Sequence, residues 1–540
     1  MRNLLWLALM PALALAVGRD DANRQLFSAL QAQDPETALY ALSQGADAKA
    51  REPDGTTPLH YAAHYADIRV MNALLKAKAD PNARNDFGAM PLAEAATTGN
   101  AEAIALLLKA GANAESANPE GQTALMVVAR AGKVEAAKLL LKAGANVNAK
   151  EQWGGQSALM WAAAQSQPEM IKLLLKSGAD VQARGATREW QRRVTSEPRP
   201  KGMNRGGFNA LLYAAREGCI PCARELLAGG ADVNRADPDQ TTPLVLALMS
   251  LHFDFASFLI KAGADVDRWD IFGQTPLYVA IDMNTLPVGG RPDLPSEDFT
   301  TGLQVAEQLL VAGANPNIQL KLRPQYRNYI FDRGGDQVLS TGATALLRAA
   351  KGGDVEAVRL LIKYKSNLSL ANESGVTPLM AAAGSGHGTN PTRGRFKTDE
   401  QGAECAKLLI EAGVNPNEAA ARSGATALHA AAEHGWNETI RMLAAKGADL
   451  ELADRQGLRA IDHARGNGGR GGNDAMTAEQ KASVKVLRDL IFAKTGKEPV
   501  ETRLAAAPAG GRGRGGGGGP PGGGVGAGAP GAAPEQAPAR

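Results

Sequence analysis

The chain has 540 residues, a formal net charge of +3 at pH 7 and an aromatic content of 5%. This charge balance does not point to any class of partner. A single compact core would be unusual at this length, whereas an elongated repeat array grows in one dimension and avoids that limit.

The N-terminal segment, residues 1–18, is predicted to be a signal peptide. A positively charged start precedes an apolar run from Leu4 to Val17, which is too short to cross a bilayer as a helix. Small residues permit cleavage near Ala16 or Gly18. An uncleaved anchor and a buried helix are the alternatives. We expect an exported, periplasmic or secreted monomer without a membrane span in its mature form.

The rest of the chain repeats one unit. The second residue of a Gly-Ala-Asp/Asn-type turn recurs every 33 or 34 residues, and the four longer gaps equal one period plus 15 to 19 residues. These positions are Ala46, Ala79, Ala112, Ala145, Ala179, Ala231, Ala264, Ala314, Ser366, Val414 and Ala448. A fixed period with insertions indicates a repeat array.

Most units begin with a Thr-Pro-Leu or Thr-Ala-Leu motif, which reads Thr-Pro-Leu-His from Thr57 to His60. Threonine caps a helix and proline suits its first turn, while the glycine of each later turn ends a second, leucine-rich helix. The period and motif resemble the ankyrin repeat over roughly residues 22–497. The resemblance implies an all-α solenoid of about 11–12 stacked helix-turn-helix repeats with β-hairpin-like finger turns.

Insertions interrupt the period, and a low-complexity tail follows it. The insertions are expected at residues 186–205, 284–300, 321–339, 388–400 and 465–476. The first and third lengthen fingertips, and the other three are interpreted as solvated loops. The tail, residues 498–540, is rich in Gly, Ala and Pro and is predicted to be disordered.

The two fingertip insertions concentrate positive charge. Residues 186–205 contain six basic and two acidic residues, and residues 321–339 contain four basic and two acidic ones. Both also carry aromatic residues, Trp190 in the first and Tyr326 and Tyr329 in the second. They are either solvated loops or basic fingers that steer an acidic partner.

The cysteines allow more than one interpretation. Cys219 and Cys222 form a Cys-x-x-Cys pair, which can become a local disulfide in an oxidising compartment. Cys222 falls where other repeats have small core residues, so Cys219 is expected to be the exposed one. A thiol redox site is the alternative. We found no catalytic or metal-binding motif, and we expect a protein that is not an enzyme and needs no cofactor.

The resemblance implies that a protein partner binds the concave surface made by fingertips and first helices. The candidates are Asp54, Phe87, Trp153, Asp239 and Phe272 at the tips; His64, Tyr65, Arg130, Trp161 and Arg216 on first helices; and Trp190, Arg192, Arg193, Tyr326 and Tyr329 in the insertions. Exposed aromatic and arginine side chains dominate many protein interfaces. Binding of a polyanion or an anionic surface through the basic fingers is the alternative. The export signal argues against a nucleic-acid partner.

Overall fold

The structure is a computed structural model that describes residues 18–188, 205–284, 298–322, 338–386, 397–466 and 478–499. These residues contain 24 helices, which follow one another in pairs. The first helices are α1 Arg19–Gln31, α3 Pro58–His64, α5 Pro91–Thr98, α7 Ala124–Arg130, α9 Ala158–Ala164, α11 Ala210–Glu217, α13 Pro243–Met249, α15 Pro276–Asn284, α17 Ala345–Gly352, α19 Pro378–Ala382, α21 Ala427–His434 and α23 Ala460–Ala464.

The second helices of the pairs are α2 Pro35–Ser43, α4 Ile68–Lys76, α6 Ala101–Lys109, α8 Val134–Lys142, α10 Pro168–Lys176, α12 Ile220–Ala228, α14 Phe253–Lys261, α16 Gly302–Val311, α18 Val355–Lys363, α20 Asp399–Glu411, α22 Asn437–Ala445 and α24 Ala478–Thr495. We number the pairs as repeats 1 to 12. The segment that joins one repeat to the next is called a finger. The predicted all-α repeat solenoid is confirmed.

The first helices begin as the motif predicts. The hydroxyl oxygen of Thr242 accepts a hydrogen bond from the Val245 N–H at 3.2 Å, and Thr344 does the same for Leu347 at 3.1 Å. Proline at the first helical position, as at Pro58, has no N–H that would need a partner. Local residue choice therefore determines where each repeat starts.

The histidine of the Thr-Pro-Leu-His motif locks one repeat to the next finger. The Thr57 N–H donates to His60 Nδ1 at 3.1 Å, so the other ring nitrogen carries the proton and donates to the Ala89 carbonyl, also at 3.1 Å. Burial lowers the pKa of His60, which keeps the ring neutral. His429 makes the equivalent bonds to Thr426 and to the Leu458 carbonyl.

The core lies in two layers, because first helices pack on first helices and second helices on second helices. Small residues such as Ala62 and Ala95 are buried in the first layer, where they allow close approach of the helices. Leucines such as Leu74, Leu107 and Leu140 are fully buried in the second layer. Each repeat completes the core of its neighbours, as expected of a solenoid.

Asparagine side chains join successive finger turns. The Asn148 side chain accepts from the Asp180 N–H at 2.7 Å and donates to the Gly178 carbonyl at 3.0 Å. Asn417 bridges Asp449 and Gly447 in the same way. A primary amide can do both because it carries a donor and an acceptor.

Three of the predicted insertions differ from the structure at their edges. Asn284 is the last residue of α15, and Asp399 is already the first residue of α20. Lys397, expected in a solvated loop, is buried, and its ammonium group donates to the Ala382 carbonyl at 2.8 Å. Val338 and Leu339, expected in a fingertip, are buried as well. Sequence reasoning could not see these contacts, since they form only when each insertion packs on the helices around it.

The remaining parts of these predictions lie outside the described residues. They are the signal peptide apart from Gly18, the tail from residue 500 onward, and most of each insertion. Among the described residues, no helix is both long enough and apolar enough to span a membrane.

Candidate functional site

The fingers are joined edge to edge by backbone hydrogen bonds at their tips. The Asp86 N–H donates to the Asp54 carbonyl at 2.8 Å, and the Ile271 N–H donates to the Asp239 carbonyl at 3.0 Å. The Phe272 carbonyl accepts in the same way from Lys321 at 2.8 Å. These bonds hold neighbouring tips, and the candidate side chains on them, side by side.

Two of the five fingertip candidates are largely exposed. Phe87 and Trp153 are 70% and 68% exposed, whereas Asp54, Asp239 and Phe272 are half-buried. The Trp153 turn is held by Glu151, whose carboxylate accepts the Trp153 N–H at 2.6 Å. The guanidinium of Arg188 lies 5.5 Å from the centre of the Trp153 ring. The structure thus combines an exposed indole with a cation at this tip.

Three of the first-helix candidates, Arg130, Trp161 and His64, meet side chains of a neighbouring repeat. Arg130 lies 5.3 Å from the centre of the Trp161 ring, and His64 pairs with Glu94 at 2.8 Å. Tyr65 is 40% exposed beside a groove of about 290 Å³. The sequence analysis chose these residues one by one and did not predict the pairs.

A simple register relates these pairs. The residue seven places after one helix cap meets the residue four places after the next repeat's cap, as for His64 and Glu94 or Arg130 and Trp161. Tyr213, four places after the Asn209 cap, is therefore a site residue that the sequence analysis missed. Arg216 of the same helix lies over its ring at 5.1 Å. Counting from the cap would have found it.

This first-helix face is open only over part of the array. Its residues four places after the cap are half-buried from α3 to α13, where they are Tyr61, Glu94, Val127, Trp161, Tyr213 and Leu246. From α15 to α19 the equivalent residues, Val279, Arg348 and Ala381, are buried. Val338 and Leu339 pack there in a separate apolar cluster with Tyr278, Leu347 and Ala381. The chain itself covers this part of the face.

Family models for ankyrin repeats match residues 26–118, 92–185, 211–288, 300–389 and 398–473, and a single-repeat model matches residues 374–420. The chain belongs to the ankyrin-repeat family. The matched segments contain every candidate residue of the first helices and of the five fingertips.

Similar ankyrin-repeat proteins have varied names. The chain is 30% identical over 172 residues to human ankyrin repeat and SOCS box protein 16, which is 32% of this chain and 34% of that protein. It is 37% identical over 174 residues to the chicken nuclear factor NF-kappa-B p105 subunit, covering 32% of this chain and 14% of that one. The chain thus spans about a third or less of each of these relatives.

The five candidates within the fingertip insertions lie outside the described residues. They are Trp190, Arg192, Arg193, Tyr326 and Tyr329. The base of the first insertion is described, and there Thr187 and Gly206 form an antiparallel bridge. The Arg188 N–H also donates to the Arg205 carbonyl at 2.8 Å. The two ends of this insertion therefore leave the ankyrin array side by side.

Cys219 and Cys222 are joined by a disulfide, with 5.3 Å between their Cα atoms. The expectation that Cys219 is exposed is wrong, because its residue is 8% exposed. Cys219 caps α12, and its sulfur accepts the Cys222 N–H at 3.2 Å, which holds the sulfur against the helix end. Cys405 is a buried free thiol whose pKa burial raises to about 12. Such a thiol is a packing group rather than a nucleophile.

A side-chain acceptor inside several fingers was also missed. Asp270 Oδ1 accepts the N–H groups of Phe272 and Gln274, both at 2.9 Å, and Asp237 Oδ1 accepts the Thr241 N–H at 2.7 Å. Burial raises the pKa of each of these carboxyl groups to about 6, despite the hydrogen bonds that they accept. Other fingers use asparagine here, as at Asn85 and Asn372. These groups build the finger, and within the described residues no cluster suited to a metal ion occurs.

Proposed function

We propose that this ankyrin-repeat protein is exported and binds a protein partner without catalysing a reaction. The partner docks on the first-helix face between α3 and α13 and on the adjoining fingertips. The observation that carries this proposal is the pairing of an arginine with a tryptophan ring at two places, the exposed Trp153 and the half-buried Trp161 of the open face. Tryptophan and arginine supply much of the binding energy in protein interfaces.

The charge of this face also supports docking. Arg130 is exposed and lies above the Trp161 ring, so it would favour a carboxylate of the partner.

Site-specific photo-crosslinking tests the docking face. A benzophenone amino acid replaces Tyr65 on the first-helix side, and as a control it replaces Tyr40 on the second helix of repeat 1. Tyr40 is more exposed, at 56% against 40% for Tyr65, so non-specific capture would favour the control. We expect a discrete adduct in the exported fraction from position 65 and none from position 40. Adducts of equal yield at both positions would refute the assignment of the face.

Export has a separate test. The apolar run that ends at Val17 directs secretion, so the mature protein should begin near Gly18. N-terminal sequencing of protein from the exported and cytoplasmic fractions would locate the cleavage. Full-length protein that starts at Met1 and stays in the cytoplasm would contradict export. That result would not bear on the proposed docking face.

A further inference from the structure

Three arginines of successive fingers bring their charges close together. They are Arg184 between α10 and α11, Arg235 between α12 and α13, and Arg268 between α14 and α15. Burial lowers the pKa of Arg184, and the positive charges of Arg235 and Arg268 lower it further, with only Asp237 acting in the opposite direction. All three side chains are half-buried, and Arg235 Nε is shielded without a hydrogen-bond acceptor.

In the earlier fingers, by contrast, three cationic side chains donate hydrogen bonds to backbone carbonyls of the next finger. Arg51 donates to the Arg84 carbonyl at 3.0 Å, Arg84 to the Ala117 carbonyl at 3.2 Å, and Lys150 to the Arg184 carbonyl at 2.8 Å. Those side chains tie one finger to the next. Within the described residues the guanidiniums of Arg184, Arg235 and Arg268 have no such bond and no ion pair. Close like charges without partners are costly unless a ligand compensates them.

Apolar side chains accompany these charges. Trp269 follows Arg268 directly and is exposed, and Leu322 of the next finger is exposed too. The ammonium group of Lys321 lies 3.3 Å from the centre of the Trp269 ring. The Lys321 and Leu322 N–H groups both donate to the Phe272 carbonyl, which holds the two fingers together. The surface formed by Arg184, Arg235, Arg268, Lys321, Trp269 and Leu322 is called the finger patch.

We propose that the finger patch binds an acidic peptide segment of a protein partner, with apolar side chains between its carboxylates. A carboxylate is the planar acceptor that a guanidinium pairs with through two hydrogen bonds. The apolar side chains of the segment would pack on Trp269 and Leu322, which a purely charged polymer would leave uncovered. The inference rests on the proposed function, because it takes the partner to be a protein, but the finger patch lies on four fingers rather than on the first helices.

The spacing of the fingers suits an extended segment. Stacked repeats are about 10 Å apart, and a segment in the polyproline II conformation advances about 3.1 Å per residue with three residues per turn. Acidic residues three positions apart would therefore lie on one face of the segment and reach successive fingers, and about 12 residues would cover the four fingers of the patch. Charge complementarity would also speed association at low salt.

The test measures binding of a labelled peptide of about 12 residues, with glutamate at every third position and leucine between, by fluorescence anisotropy. The mature full chain is used. The variant Arg235→Gln/Arg268→Gln should weaken binding about tenfold or more, and added salt should weaken binding to the wild type. The matched control Arg51→Gln/Arg84→Gln removes two arginines that bind carbonyls and should keep the affinity within about twofold. Melting curves of both variants verify that they are folded.

Two control peptides and two polyanions test whether binding requires both the carboxylates and the apolar side chains of the peptide. A peptide with glutamine for glutamate should not bind, and one with serine for leucine should bind more weakly. Equal binding of the glutamine peptide, or of the Arg235→Gln/Arg268→Gln variant, overturns the proposal. Heparin or phosphatidylserine vesicles that bind more tightly than the peptide, with the same loss in the variant, overturn it in favour of a general polyanion surface.

A further variant separates this inference from the proposed docking face. Trp161→Ala lies outside the finger patch and should leave peptide affinity unchanged, while it should reduce the Tyr65 crosslink. Crosslinking at position 65 without peptide binding overturns the finger patch alone. Peptide binding without crosslinking there refutes the docking face and leaves the finger patch supported.

Discussion

Replacing Asp282 by leucine should destabilise the protein by about 3–5 kcal/mol, because it removes the carboxylate that pairs with a buried guanidinium. Asp282 on α15 pairs through Oδ1 with Arg348 Nε on α17, and their side chains are 0% and 3% exposed. The double variant Asp282→Leu/Arg348→Leu should recover most of the loss, because it removes both buried charges. Urea unfolding followed by circular dichroism would measure the three free energies of unfolding.

The same pair of repeats offers a matched control for this experiment. Glu307 on α16 and Lys363 on α18 form an ion pair at 2.8 Å, but their side chains are largely exposed. Glu307→Leu should therefore change the free energy of unfolding by about 1 kcal/mol or less. An equal loss for Glu307→Leu and Asp282→Leu would show that burial of the charges is not the cause.

Replacing Asp237 and Asp270 by asparagine should stabilise the protein at neutral pH. The folded pKa of each carboxyl group is about 6, above the value of 3.8 for an unperturbed aspartate, so folding favours the protonated form. The contribution of these two groups to stability is therefore fully present below about pH 4 and is lost as pH rises through 6. A shift of this size corresponds to at most about 3 kcal/mol per group.

Asparagine has no charge to bury and keeps the acceptor oxygen. Asn85 Oδ1 already accepts the equivalent N–H, that of Ala89, at 2.8 Å in another finger. The stability gain of the variant should appear above pH 6 and vanish near pH 4, which melting curves across this range would measure. A gain that did not depend on pH would contradict the assignment to these carboxylates.

Asp454 is the control for this prediction, since it occupies the same position in a later finger. Burial alone would raise its pKa, but hydrogen bonds from the Leu458 N–H and from His463 lower it. Its Oδ2 lies 2.9 Å from His463 Nε2. Asp454→Asn should therefore destabilise the protein at neutral pH, the opposite sign from the Asp237 and Asp270 variants.

The helix starts and the repeat boundaries were predictable from the sequence because their causes are local. A cap such as Thr242, a proline at the first position and a glycine after the second helix act within a few residues. The role of His60 was also predictable from its place in the motif. The disulfide between Cys219 and Cys222 was predicted only as one alternative, since neither the spacing nor the export signal decides whether it forms.

The site was less predictable, because its contacts join residues that are far apart in the chain. Trp161 and His64 could be chosen as candidates by type and position, but not the charged side chains that they meet. Asp282 and Arg348 occupy the same register as Arg130 and Trp161, yet one pair lies in the covered part of the face and the other in the open part. The sequence does not reveal that Val338 and Leu339 pack on the first-helix face between α15 and α19.

The sequence by itself determined the period, the helix pairs, the ends of most helices and the two-layer core, since each repeat carries the same local signals. Only the tertiary structure decided which part of the first-helix face stays open and which charges already have partners. Arg51 is bound to a carbonyl of the next finger, while Arg235 is not, although both are arginines of a finger turn. Pairing and burial depend on the neighbouring repeats, which the local pattern of one repeat does not specify.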